Sequence, residues 1–170
     1  FVGMSANRLV NVSVEEMVDA FSDELEISEE DLIRRGNIMA RVRMITLYDF
    51  AKANNALVVG TENRSEFHLG YFTRFGDEAS DIEPIQHLYK TQVYALAKHL
   101  GLPSSIINKP PSANLWENQT DESEFGFSYA EADPVLYLYF DKEKTIEEIE
   151  KDFPNARRII DFAKKNAYKH

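Results

Sequence analysis

The chain has 170 residues, of which 44% are hydrophobic, and this is enough apolar material for one globular core. Its 29 acidic and 19 basic residues give a formal net charge of −10, which disfavours non-specific binding to nucleic acid or an anionic membrane. Cysteine is absent, which excludes disulfides and a cysteine nucleophile, and no apolar run is long enough for a membrane span. We therefore expect one domain over residues 1–170, a cytoplasmic location, and a local cluster of basic side chains wherever an anionic ligand binds.

Two helices are predicted in the first third of the chain. Residues 11–21 carry apolar side chains at near-helical spacing, with Ser13 as the expected N-cap. The acidic residues 22–31 are then expected to form a solvated connection. After Gly36, residues up to 54 lack proline and glycine and are apolar around most of the circumference, which predicts a helix packed on several sides.

A buried strand is predicted at residues 56–59, where four apolar residues follow two asparagines. Because helices flank it on both sides, the strand is expected to belong to a parallel sheet. Gly60 and Thr61 would then lie at the carboxyl end of the strand, which is the edge where open parallel sheets bind ligands.

The rest of the chain is predicted to alternate loops with helices. Residues 62–86 form a long polar connection of the kind that is usually functional. A helix is expected over residues 89–100, and it should bury Val93, Leu96, Ala97 and Leu100. Two S/T-x-x-E capping boxes, at residues 128–131 and 145–148, each predict a helix start. After Pro154, a last helix should bury Ala156, Ile159, Ile160, Ala163 and Ala167.

Two arginines on the predicted central helix require partners. Asn37 and Arg41 are four residues apart and share a helix face, whereas Arg43 lies about 200° around the axis from Arg41. One interpretation is a pair of salt bridges to the abundant carboxylates. The other is recognition of phosphate or carboxylate, whose geometry matches the guanidinium fork.

The segment from Gly60 to Glu66 supplies a hydroxyl, amides and two carboxylates at the predicted ligand edge. It fits either a nucleotide site with a magnesium-binding carboxylate or the simple start of a helix. Asp77 and Asp81 lie in an acidic loop and are either functional or merely solvated. Lys90 stands near a helix N-terminus, where the helix dipole disfavours a cation, so we expect an acidic neighbour or a bound anion beside it.

Five strings occur in an order and at a spacing that closely resemble the ammonia-dependent NAD synthetase family. They are RRGNIMARVRM (34–44), VVGTENRSEFHLGYFTRFGDEASDIEPI (58–85), LYKTQV (88–93), KPPSANLW (109–116) and QTDESEFGFSYAEAD (119–133). The resemblance implies an α/β fold of the adenine nucleotide alpha-hydrolase-like (Rossmann-like) type, a parallel sheet flanked by helices with a helix-rich C-terminal part. It also implies a homodimer.

The activity implied by the resemblance is a two-step ligation. ATP adenylates the nicotinate carboxylate of deamido-NAD and releases pyrophosphate, and ammonia then displaces AMP to give NAD. The residue roles implied are ATP binding by Thr61, Lys90 and Ser112, Mg²⁺ binding by Glu66, catalysis by Lys90 and Asp77, and deamido-NAD binding by Asn37, Arg41, Arg43, Arg74, Asp81 and His170. Position 112 is a serine where the family often has threonine, and His170 resembles the histidine of a His-Lys or His-Arg pair.

One family element does not occur in the sequence. The pyrophosphate-binding string Ser-Gly-Gly-x-Asp-Ser is absent from the 170 residues. We therefore expect the chain to be the C-terminal portion of an NAD synthetase domain that does not adenylate by itself. Two alternatives remain, namely another amide ligase of the ATP-pyrophosphatase type and a catalytically silent interaction module.

Overall fold

A computed structural model of the chain describes residues 3, 5 and 8–170, and the main regular element of this part is the α-helix. In chain order the helices are α1 (Glu15–Glu24), α2 (Leu32–Asn54), α3 (Arg64–Leu69), α4 (Lys90–His99), α5 (Ser104–Ile107), α6 (Asp121–Phe125), α7 (Tyr129–Leu136), α8 (Ile146–Ile149) and α9 (Ala156–Asn166). A π-helical turn (Tyr137–Asp141) continues α7, and a 3₁₀ turn (Ala167–Lys169) continues α9.

Local capping signals set several of the helix ends. Both predicted capping boxes are confirmed: the side chains of Ser128 and Thr145 cap α7 and α8, and a glutamate three residues later returns a hydrogen bond to each cap. The first helix begins later than predicted, at Glu15, where glutamates in the first turn complement the helix dipole. The helix also extends to Glu24, so the acidic connection that follows is shorter than expected. Ser22, predicted to lie in that connection, is a buried residue of α1.

The main core lies where α3, α7 and α9 pack together. Leu69, Tyr129 and Leu136 are almost completely inaccessible there. The predicted face of α9 is confirmed at four positions, which are Ala156, Ile159, Ile160 and Ala163. Ala167 is exposed instead, because α9 ends at Asn166 and the tighter 3₁₀ turn rotates the next residue away from that face.

The predicted sheet is represented by a single contact. Within the residues described there is no β-strand, only an isolated parallel bridge between Val59 and Ile82, in which Gly60 N–H donates to the Ile82 carbonyl at 2.8 Å. Val58 is buried, but Leu57 and Val59 are 64% and 58% exposed, so the predicted burial of all four residues is wrong. Alternation along an extended segment points these two side chains to the opposite side from Val58.

Helices α2 and α4 bury less than their sequences predict. In α2 the residues Gly36, Ala40 and Val42 are buried, whereas the apolar side chains of Ile45, Leu47 and Phe50 are exposed. In α4 the helix itself is confirmed, but none of the four residues predicted to be buried is so: Leu96 and Leu100 are exposed, and Val93 and Ala97 are half-buried. Periodicity shows which residues share a face but not whether another element covers that face. None of the helices described combines the length and the apolar stretch needed to cross a bilayer.

Candidate functional site

Two adjoining cavities contain most of the residues predicted to be functional. The first has a volume of about 520 Å³, and the second has a volume of about 570 Å³. Among the predicted residues, those that line the first cavity are Arg43, Thr61, Glu66, Asp77, Lys90 and Ser112. Those that line the second are Asn37, Arg41, Arg74 and Asp77. The cavities share a wall, defined here as the residues that line both: Tyr71, Phe72, Asp77, Ala113 and Leu115.

The start of α3 places Glu66 in the first cavity. Asn63 is the N-cap, and its side-chain oxygen accepts hydrogen bonds from the backbone N–H groups of Ser65 and Glu66, each at 3.1 Å. Glu66 returns the bond through Oε2, which accepts from Asn63 N–H at 3.1 Å. The segment is therefore the start of a helix, and its role at a nucleotide stays a prediction. The capping box leaves Glu66 Oε1 to point elsewhere.

That second oxygen of Glu66 pairs with Lys90 at the start of α4. Lys90 Nζ donates to Glu66 Oε1 at 2.8 Å, and both side chains are more than four-fifths buried, at 18% and 17% exposure. Lys90 also lies 5.2 Å from the ring centre of Tyr129. Burial lowers the pKa of Lys90, but the Glu66 carboxylate, with smaller contributions from Asp121 and Tyr94, raises it, and the net pKa is raised. The expected acidic neighbour of Lys90 is thus Glu66.

Two carboxylates that the sequence analysis did not assign also line the first cavity. Glu62 is only 8% exposed; its Oε2 accepts from Gln86 Nε2 at 3.0 Å, while its Oε1 has no hydrogen-bond partner among the residues described. Burial, together with the charge of Glu83, raises the pKa of Glu62 to about 7. Asp121 is 3% exposed and accepts from the Tyr129 hydroxyl at 2.8 Å. The motif contained Glu62, but no sequence pattern indicated that Asp121 is buried.

The Glu83 carboxylate packs closely against Gly60. A Cβ at position 60 would lie 1.8 Å from Glu83 Oε1, so the Glu83 side chain would have to move to admit one. Thr61 follows at the rim of the first cavity and is exposed. Ser112 also lines this cavity, and its Oγ accepts from Asn114 N–H at 3.0 Å. The two hydroxyls predicted to contact ATP therefore border the same space.

Two arginines in the middle of α2, Arg41 and Arg43, bind backbone carbonyls. Arg41 donates from Nε and Nη2 to the Arg74 carbonyl at 3.3 and 3.1 Å. Arg43 donates to the carbonyls of Ala113 and Asn114 at 3.4 and 3.2 Å. Neither forms an ion pair within the part of the chain that is described, so the salt-bridge interpretation is wrong for both. Their positive charges are not neutralised by a bound carboxylate.

The second cavity has a further cation that the sequence analysis missed. Lys169, in the 3₁₀ turn, donates from Nζ to the carbonyls of Gly70 and Phe72 at 2.7 and 2.9 Å. Burial lowers its pKa. No local sequence pattern indicates that Lys169 lies at this cavity, because its hydrogen-bond partners, Gly70 and Phe72, are almost 100 residues away in the sequence. Beside it, Thr73 Oγ1 donates to Asn37 Oδ1 at 2.8 Å and orients that amide.

The acidic loop is structured rather than merely solvated. Asp77 accepts from Thr73 N–H at 2.9 Å and lies at the shared wall. Asp81 accepts from Val58 N–H at 2.8 Å and so closes the loop onto the bridge. Asp81 lines neither cavity. The structure therefore brings Asp77, but not Asp81, to the space between the two cavities.

His170 is also outside both cavities. Its ring lies 4.3 Å from the ring of Phe67 and 5.5 Å from that of Phe72. Burial, and then the charge of Lys169, lower its pKa. In this arrangement His170 supports Phe72, a residue of the shared wall, and its predicted contact with a dinucleotide stays a prediction.

Glu66 fits a magnesium ion as a single ligand. In the described part of the chain, no three His, Cys, Asp or Glu side chains are grouped as a metal site. Mg²⁺ usually takes only one or two carboxylates, together with substrate phosphates and water. Glu66 has one hydrogen bond on each oxygen, and each oxygen keeps a lone pair for a further ligand.

Cationic and carboxylate side chains around two adjoining cavities form the kind of site expected of an enzyme that binds nucleotides. Comparison with known proteins identifies the family. The model of the NAD synthase family matches residues 4–170. The chain belongs to this family.

Individual relatives agree with the assignment. The chain is 52% identical over 135 residues to the NH(3)-dependent NAD(+) synthetase of Chlorobium phaeobacteroides, covering 79% of this chain and 48% of that protein. It is 45% identical over 158 residues to the synthetase of the same name from Thermoplasma volcanium, covering 93% and 62%. Among solved structures, NMN synthetase from Francisella tularensis matches with a TM-score of 0.78 and 36% identity, covering 94% and 63%. The chain thus shares the family fold but spans only about half to three-fifths of these relatives.

Proposed function

We propose that the protein containing this chain is an ammonia-dependent NAD synthetase, a ligase that forms a carbon–nitrogen bond. The observation that carries the proposal is the shared wall between a cavity lined by the three predicted ATP contacts and a cavity lined by three of the six predicted deamido-NAD contacts, Asn37, Arg41 and Arg74. Arg43, also predicted to contact deamido-NAD, lines the first cavity. A reaction between two ligands requires their reacting atoms to meet. The shared wall is where ligands in these two cavities would be in reach of each other.

In the first step, ATP occupies the first cavity and deamido-NAD the second. A carboxylate oxygen of the nicotinate attacks the α-phosphorus of ATP, the bond to the β-phosphate oxygen breaks, and pyrophosphate leaves. Negative charge grows on the phosphoryl oxygens, and Lys90 is the cation of the first cavity best placed to stabilise it. Glu66 would hold Mg²⁺, which supplies charge neutralisation on the phosphates.

In the second step, ammonia attacks the carbonyl carbon of the mixed anhydride and AMP leaves. The attacking nitrogen must lose a proton, and Asp77 is the carboxylate of the shared wall that can accept it. On the other side of the wall, Arg41, Arg74 and Asn37 border the second cavity. We assign them to the deamido-NAD phosphates and sugar hydroxyls, because guanidinium and amide groups suit these oxygens.

We further propose that the chain is the C-terminal portion of the synthetase domain. Its coverage of about half of one relative supports this, as does the lack of a Ser-Gly-Gly-x-Asp-Ser string in the sequence. The parallel bridge at Val59 would then belong to the parallel sheet of the whole protein.

We also propose a homodimer and a cytoplasmic location for the protein. The exposed apolar side chains on α2 support the homodimer, and the lack of cysteine supports the cytoplasmic location. Light scattering of the full protein tests the dimer.

A second candidate substrate is the mononucleotide acid, nicotinate mononucleotide. The observation in its favour is the likeness to an NMN synthetase with a TM-score of 0.78. Both substrates would present the same nicotinate carboxylate at the shared wall. They differ in whether an adenylate moiety extends into the second cavity.

The test is an assay of the full protein with ATP, Mg²⁺ and ammonium, supplied with either deamido-NAD or nicotinate mononucleotide. We expect NAD, AMP and pyrophosphate in equal amounts from the first substrate. Lys90→Met should lower kcat/KM by about 10²-fold or more, whereas Lys98→Met, an exposed lysine of the same helix, should not. Preference for the mononucleotide would favour the second candidate. Turnover with neither would favour another amide ligase or a silent module.

A further inference from the structure

Helices α3, α4 and α7 meet at one buried carboxylate, that of Asp133. Its side chain is 4% exposed. Oδ1 accepts from Ser65 Oγ at 2.6 Å, and Oδ2 accepts from both Thr91 N–H and Thr91 Oγ1 at 2.8 and 2.7 Å. The Ser65 hydroxyl in turn accepts from Lys90 N–H at 2.8 Å. One carboxylate therefore joins the first turns of α3 and α4.

These two turns carry the ion pair of the first cavity. Glu66 follows Ser65 on α3, and Lys90 precedes Thr91 on α4, so the residues held by Asp133 are the chain neighbours of the pair. Fixing both backbones fixes the separation of the two side chains that extend from them. The Lys90 ammonium and the Glu66 carboxylate are thereby held at a hydrogen-bond distance of 2.8 Å.

Charge adds to this geometric effect. The N-terminus of α4 carries the positive end of the helix dipole, which opposes a cation at its first residue, Lys90. Asp133 places a negative charge against that N-terminus. Asp133 also occupies the Thr91 N–H, and Ser65 Oγ occupies the Lys90 N–H, so neither group is available to an anion. A phosphate in the first cavity would therefore meet the start of α4 through the Lys90 ammonium.

We propose that Asp133 is a positioning residue that holds Lys90 against Glu66 and directs its ammonium into the first cavity. Asp133 does not line either cavity, so it acts through Ser65 and the α4 backbone. The catalytic meaning of this arrangement rests on the proposed function, in which Lys90 binds ATP phosphates. The arrangement itself does not, and it is testable in the full protein without ATP.

The first experiment measures the reactivity of Lys90. The full protein, without ATP, is treated with an amine-acylating reagent, and the labelling rates of Lys90 and the exposed Lys98 are compared by peptide mass spectrometry. Asp133→Asn keeps the side-chain size but replaces one acceptor oxygen with an NH₂ group. That group cannot accept the hydrogen bond that Ser65 or Thr91 donates to the carboxylate. We expect the ratio of Lys90 to Lys98 labelling to rise about tenfold, equivalent to the loss of one charged hydrogen bond.

Two controls separate positioning from a general loss of stability. Val135→Ala empties a fully buried site on the same helix without touching the network, and Asp161→Asn removes an exposed charge from α9. Both should leave the labelling ratio within about twofold of the original. If Val135→Ala raises the ratio as much as Asp133→Asn does, the proposal is overturned. Should Asp133→Asn fail to fold, Ser65→Ala removes the bridge to Lys90 and must raise the ratio.

The second experiment uses the full protein and follows ATP. Asp133→Asn should raise the KM for ATP more than it lowers kcat, because a displaced Lys90 weakens phosphate binding in the ground state as well as in the transition state. An unchanged KM for ATP together with altered labelling would show that Lys90 is positioned by Asp133 but does not bind ATP. In that case the proposed function fails at Lys90 and the positioning role stands. Unchanged labelling overturns the positioning role whatever the kinetics.

Discussion

Substitution of Glu62 by glutamine should stabilise the protein at high pH and change little at low pH. Glu62 is 8% exposed, and one of its oxygens has no hydrogen-bond partner among the residues described. Burial raises its pKa from the ordinary 4.5 to about 7, with a smaller contribution from the charge of Glu83. Folding therefore favours the neutral carboxyl group, and ionisation in the folded state is opposed.

The size and sign of the effect follow from proton linkage. A group whose pKa is higher in the folded state than in the unfolded state binds more protons when folded, so stability falls as the pH rises. Below pH 4.5 the group is protonated in both states and has no effect on stability. Between pH 4.5 and 7 the unfolded state ionises first, and above pH 7 the full difference of about 2.5 pKa units destabilises the fold by about 3 kcal/mol.

Urea denaturation at a series of pH values from 5 to 8.5 measures this contribution. The difference in unfolding free energy between Glu62→Gln and the original chain should grow with pH and level off above pH 7. Glu117→Gln is the matched control, since Glu117 is an exposed glutamate, and its difference should stay within about 0.5 kcal/mol throughout. A difference for Glu62→Gln that does not change with pH would refute the argument from burial.

Three further substitutions or conditions test other parts of the structure. Tyr129→Phe removes the donor to the buried Asp121 and should lower the unfolding free energy by about 1–3 kcal/mol in urea; no loss would mean that another group satisfies that carboxylate. Ile160→Ala empties a fully buried site and should cost about 2–5 kcal/mol, seen as a lower Tm. Burial and the charge of Arg64 lower the pKa of His68 to about 4, so unfolding followed by circular dichroism should show stability lost as pH falls from 6.5 towards 4. His68→Phe should weaken that acid sensitivity.

The parts of the fold that sequence predicts well are those specified by neighbouring residues. The capping boxes at Ser128 and Thr145 need only four residues each, and both are present. The apolar face of α9 follows from spacing within a single helix and is buried at four of five predicted positions. The fifth, Ala167, fails because the helix changes type at its end, which spacing alone does not encode.

Burial that depends on distant elements is harder to predict. Leu57, Leu96 and Phe50 all belong to apolar patterns, and all are exposed. Hydrophobicity indicates that a side chain gains from being covered, but the cover itself must come from another element. The reverse also occurs at Asp121, which is polar and 3% exposed because Tyr129 and neighbouring helices enclose it. A list of candidate residues from sequence therefore finds the motif residues and misses those enclosed by tertiary packing.

The balance of charge shows how an acidic chain can offer a basic site. The net charge of −10 predicts that basic side chains will be neutralised by nearby carboxylates unless the fold prevents it. Arg41, Arg43 and Lys169 are instead held by backbone carbonyls, which orient the cations and leave their full charge in place. Lys90 is the exception, because its carboxylate partner Glu66 lies in the same cavity. An anion that enters the second cavity would therefore meet Arg41 and Lys169 already oriented. One that enters the first would meet Arg43 in the same state but must share Lys90 with Glu66.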